Sequence, residues 1–67
     1  MDVQERFGSK VKRLREQAGL SQDALAHAAD IHRVYLSGIE RGKRAPSIVI
    51  VEQLAKALGV HPGELFD

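Results

Sequence analysis

The sequence predicts an all-α domain of five short helices, and three observations carry that prediction. Apolar residues recur at helical spacing in successive stretches, helix-capping residues stand at the ends of those stretches, and the one β-branched run, residues 48–51, continues into a longer helical repeat. In order, Phe7, Val11, Leu14 and Ala18 mark a first helix over residues 3–18, opened by the D-x-x-E capping box of Asp2 and Glu5 and closed by Gly19. Ser21 caps a second, short helix over 22–28 whose Leu25 and Ala26, with Ala29 just beyond, lie on one side. Asp30 stands where a tight turn needs a residue tolerant of left-handed backbone, Ile31 anchors the turn, and 32–41 resumes helical spacing through Leu36 and Ile39. Residues 42–46 (GKRAP) form an exposed basic loop, because Gly and Pro break the repeat. Ser47 caps a fourth helix with Ile48, Val51, Leu54, Ala55 and Leu58 on one stripe. Gly59 ends it, and Pro62 opens a fifth short segment that brings Leu65 and Phe66 onto the core.

Sixty-seven residues hold one core and no second, so the expected domain fills residues 1–67. Hydrophobic residues make up 43% and charged residues 28%, a globular composition that excludes intrinsic disorder. Without cysteine there is no disulfide framework, thiolate zinc site or cysteine nucleophile, which leans toward a reducing compartment. No apolar stretch approaches the roughly 18 residues of a membrane span, and residues 1–6 do not resemble a signal peptide, so a cytoplasmic protein is expected. The net charge is only +1, yet positives concentrate in residues 10–15 (KVKRLR) and in 33–44, where Arg33, Arg41, Lys43 and Arg44 face the single negative Glu40. If the two blocks share a face, the molecule is polarised. An enzyme lacks its ingredients: His27, His32 and His61 have no zinc-ligand spacing, no Gly-rich phosphate cradle appears, and no catalytic triad order is recognisable. No metal, cofactor or small-molecule ligand is expected.

Two helices joined by a short turn at 29–31, the second flanked by basic residues, make a helix-turn-helix over about residues 21–41. Small Ala26 permits a close crossing, while Leu36 and Ile39 fasten the second helix to the core and leave its opposite face free for a major groove. The residues Leu20-Ser21-Gln22-x-x-Leu25-Ala26, then Tyr35-Leu36-Ser37-x-Ile39-Glu40-Arg41-Gly42-Lys43-Arg44-x-Pro46-Ser47, then Ala55-x-Ala57-Leu58-x-Val60 closely resemble the Xre-type helix-turn-helix family of phage repressors and bacterial regulators. Residues 32–42 also resemble the matching stretch of the small controller proteins of restriction–modification systems. The resemblance covers nearly the whole chain. It implies a compact five-helix lambda-repressor-like fold in a bacterial or phage-encoded transcription regulator, with 32–41 as recognition helix.

The resemblance also implies roles by position. Gln22 matches the residue that holds a DNA phosphate and steadies the recognition helix, a role that suits an amide beside a helix N-terminus. His32 takes the N-cap position in place of the usual small polar residue. Arg33 and Val34 match outward base-reading positions; Arg can bond guanine O6 and N7 together, and a valine can touch a thymine methyl. If the third helix packs through Leu36 and Ile39, Tyr35 lies away from the core and its hydroxyl reaches a phosphate, with packing over the helix-two junction as the competing reading; Ser37 is a phosphate or base contact. Gly38 departs from the family, which usually has a longer side chain there; either the DNA backbone passes closely or specificity lies with Arg33 and its neighbours. Arg41, Lys43 and Arg44 meet the phosphate backbone. Arg15 and Glu40 match an internal ion pair.

Val49, Ile50, Val60 and Phe66 are candidate dimer contacts, since surplus apolar surface near a C-terminus suggests self-association; core filling competes with that reading. The expected function is a homodimeric regulator on double-stranded DNA with a pseudo-palindromic operator, a restriction–modification controller or small repressor. The alternative is an antitoxin or adaptor that binds a protein partner, because fold does not fix function.

Overall fold

The computed structural model describes residues 2–67 and contains four α-helices, α1 (Val3–Gln17), α2 (Gln22–Ala28), α3 (Arg33–Glu40) and α4 (Ile48–Leu58), followed by a 3-10 helix at Pro62–Phe66. No strand occurs among the described residues. The caps lie where the sequence sets them. Glu5 N–H donates to Asp2 Oδ1 at 2.8 Å while Asp2 N–H donates to Glu5 Oε1 at 3.1 Å, so each satisfies an amide that the first helical turn leaves open. Ser21 and Ser47 accept from Ala24 and Ile50 N–H in the same way, whereas His32 makes no side-chain cap bond. The fifth segment starts on His61, whose Nδ1 accepts from Gly63 N–H at 3.1 Å.

After α2 the Asp30 N–H donates to the His27 carbonyl and the Ile31 N–H to the Ala26 carbonyl, closing the helix with a left-handed residue. Asp30 takes that conformation at φ 59°, which costs an ordinary L-residue roughly 1–2 kcal/mol and is tolerated better by Asp than by most. This turn sets α2 against α3.

Val11, Leu25, Leu36, Ile39, Leu54 and Leu65 are fully buried, so every helix contributes to one core. Truncating Ile39 or any of the four leucines to Ala would cost about 2–5 kcal/mol in lost transfer energy and cavity. Two stripe residues do not join: Ala18 is exposed as the C-cap of α1, and Ile48 is 86% exposed in the first turn of α4. Both stand at helix ends, past the edge of the packed surface.

The contact that fixes α1 against α3 runs through Gly8. A Cβ there would lie 2.1 Å from the Ile39 carbonyl oxygen and 2.9 Å from that of Glu40, so only glycine allows the two backbones to approach. One turn earlier along α1, a Cβ at Gly42, itself at φ 74°, would lie 3.0 Å from Glu5 Cα. Together these glycines press α1 along the C-terminal end of α3.

Candidate nucleic-acid interface

Arg15 and Glu40 form the polar centre of the molecule. Arg15 Nε donates to Glu40 Oε2 at 2.7 Å and Nη2 to Oε1 at 3.1 Å, a two-pronged pair between α1 and α3 with both residues buried. Its third nitrogen, Nη1, donates to the Leu20 carbonyl at 2.8 Å, just before α2. Gln22 Nε2 also donates to Glu40 Oε1, at 3.0 Å. Four segments therefore meet on one carboxylate and one guanidinium, which fixes the angle between the two helices of the motif. The hydrogen bond to Glu40 is the largest influence on Arg15 and raises its pKa above the ordinary arginine value, against the opposing effect of burial. Gln22, half-buried at the head of α2, keeps its second amide hydrogen and its oxygen uncommitted beside that network.

Leu36 and Ile39 fix α3 to the core and turn its other side outward. On that side Val34 is 70% exposed. Arg33 is exposed and lies 3.3 Å from Asp23 of α2, a pair that solvent holds to about 0–1 kcal/mol and that an incoming anion can displace. Ser37 is half-buried, and its carbonyl accepts a long 3.4 Å bond from Arg41 Nε. Tyr35 does not point away from the core: it is partly buried and packs against the core cluster, because its position borders Leu36 and Ile39. Its ring carries the Arg44 guanidinium at 5.9 Å. Lys43 and Arg44 are exposed in the loop after α3.

Of the first basic block, Arg15 is consumed internally by Glu40, and Lys10 and Arg13 line a groove with Arg6, Ser9 and Asp67. The second block leaves Arg33, Arg41, Lys43 and Arg44 exposed on and just after α3.

Among the dimer candidates, Val49 is 59% and Phe66 45% exposed, and the Phe66 ring packs at a 43° tilt against that of Phe7 with centroids 5.1 Å apart. Ile50 and Val60 are partly buried against the core, so core filling accounts for much of their surface. Ile48, assigned to the core from its spacing, is the most exposed large apolar residue among those described. Sequence reasoning also missed Gly8 and the Asp23–Arg33 pair; a glycine inside a strong helical repeat is the one signal that marks the first. No group of His, Asp or Glu that could hold a metal occurs among the described residues, and no helix is long and apolar enough to cross a membrane.

This arrangement, a short helix braced behind a second whose basic outer face is open, is that of a helix-turn-helix DNA-binding regulator. The helix-turn-helix family pattern matches residues 11–65, and the chain belongs to that family, in its Xre-type branch. It is 47% identical to the control protein C.BamHI of Bacillus amyloliquefaciens over 62 residues, spanning 91% of this chain and 76% of that protein. The crystal structure of the restriction–modification controller C.AhdI from Aeromonas hydrophila superposes with a TM-score of 0.91 at 44% identity, covering 92% of this chain and 94% of that one. The controller C.Esp1396I, solved as a tetramer on its natural 35 base-pair operator, matches with a TM-score of 0.88 at 30% identity over 98% of this chain and 87% of that chain. The family is non-catalytic, and the chain is a regulator rather than an enzyme.

Proposed function

We propose that the protein is a controller-type transcription regulator that binds a pseudo-palindromic operator as a homodimer, with one α3 in each of two successive major grooves. The observation that carries this reading is the outer face of α3, held rigid from behind by the Arg15–Glu40–Gln22 network while Arg33 and Val34 stay exposed in front. Arg33 reads a guanine edge and Val34 a thymine methyl. Gln22, Tyr35 through its hydroxyl, Ser37, Arg41, Lys43 and Arg44 meet phosphates, and His32 lies at the entry to the groove as the N-cap of α3. Ile48, Val49 and Phe66 supply the exposed apolar surface for self-association, with Ile50 and Val60 contributing their open edges. The relative solved as a tetramer on its operator supports assembly on DNA. The cytoplasm is the compartment this function requires.

Selection of bound duplexes from a random pool at moderate salt tests the reading. Enrichment of a two-fold symmetric motif is the expected result. Recovery of no motif, with weak binding that salt abolishes, would contradict it and direct the search to a protein partner.

A further inference from the structure

Gly38 lies four residues after Val34 and so on the same outward face of α3, yet Val34 is 70% exposed and Gly38 is buried. What covers it is Arg44. A Cβ at position 38 would stand 2.7 Å from Arg44 Cγ, 3.6 Å from Cβ and 3.9 Å from Cδ, so the aliphatic stem of Arg44 lies in the space that a side chain would fill. The chain doubles back to put it there: Gly42 N–H donates to the Ile39 carbonyl at 3.0 Å and Lys43 N–H to the Gly38 carbonyl at 2.8 Å. The stem then delivers its guanidinium to the Tyr35 ring, 5.9 Å from the centroid.

Nothing in the backbone asks for glycine at 38. The left-handed glycines are Gly19, Gly42 and Gly59, and Gly38 is interior to a regular helix, where glycine is less favourable than alanine. The missing Cβ is all that glycine supplies. The neighbour it accommodates is a flexible side chain rather than backbone, unlike the carbonyls facing Gly8.

We propose that Gly38 is a positioning residue for DNA binding, the seat that holds Arg44 along the outer face of α3 and against Tyr35 before DNA arrives. This rests on the operator-binding reading above. An arginine already confined to one path loses less freedom on meeting a phosphate than one that sweeps through solvent. The side chain absent at 38 is thereby replaced on the recognition face by one that reaches in from the loop.

The test compares wild type with Gly38→Ala, Arg44→Ala and the double variant, by thermal melting and by salt titration of binding to the selected duplex. Gly38→Ala is expected to melt at or above the wild-type temperature, to bind about tenfold more weakly, and to show a salt slope shallower by about one. In the Arg44→Ala background the same substitution should change affinity less than about twofold. Unchanged affinity for Gly38→Ala, an equal loss in both backgrounds, or a markedly lower melting temperature would each overturn the proposal. Proton NMR separates this from a failure of the operator reading. If the wild type binds no DNA at all, Arg44 side-chain protons shifted by the Tyr35 ring and released by Gly38→Ala would still support the seat, and protons unmoved by the substitution would overturn it.

Discussion

Arg15 is buried, and its charge is tolerable because Glu40 and the Leu20 carbonyl between them take the Nε, Nη1 and Nη2 donors. Replacing Glu40 by Ala strands that charge and removes the partner of Gln22, so Glu40→Ala should lower stability by about 3–5 kcal/mol in chemical denaturation. The raised Arg15 pKa sets the alkaline limit: the arginine's own share of the stabilisation is present below the ordinary arginine value and is lost as pH rises through its folded value. On the DNA side, Arg33→Ala should cost about 1–3 kcal/mol on the selected sequence and much less on random duplexes; equal losses on both would remove its base-reading role. Asp23→Asn should strengthen DNA binding at low salt, since it frees Arg33 and removes a negative charge from the approach, and unchanged affinity would show that the Asp23 contact does not compete. Little of this was legible in the residues themselves. Arg15 and Glu40 are 25 positions apart, and only the family resemblance paired them; Asp23 and Arg33 meet because of a helix crossing that no local pattern encodes.

The helices were far more legible than the contacts between them, and the reason is locality. A capping box, a serine N-cap or a left-handed turn is decided within about four residues, so the bounds read from sequence fall within a residue of those observed. Orientation is decided by neighbours. Tyr35, Ile48 and Ala18 each sit at the margin of an apolar stripe or at the end of a helix, where a small rotation or the lack of an opposing element moves a side chain in or out. Two substitutions test the account at this scale. Asp30→Gly relieves the left-handed strain in the turn and should raise stability by up to about 1 kcal/mol, with DNA affinity unchanged. Gly8→Ala should do the opposite, since its Cβ meets the backbone carbonyl of Ile39: a loss of about 1–3 kcal/mol, where an unchanged melting temperature would show that the helices can part without cost.

The molecule measures 26 × 23 × 22 Å along its principal axes, less than the roughly 34 Å that separates successive major grooves on one side of DNA. A single copy therefore reads one groove, and a palindromic site requires a second copy. That places the weight of the proposed function on self-association, for which the exposed Ile48, Val49 and Phe66 are the apolar surface proposed above. The most direct test holds both half-sites of the selected duplex intact and inserts five base pairs between them, about half a helical turn. Two recognition helices fixed in one dimer predict that the insertion reduces binding to the level of an isolated half-site, with the two copies no longer cooperating. Binding that is indifferent to the insertion would contradict a dimer that places one α3 in each of two aligned grooves.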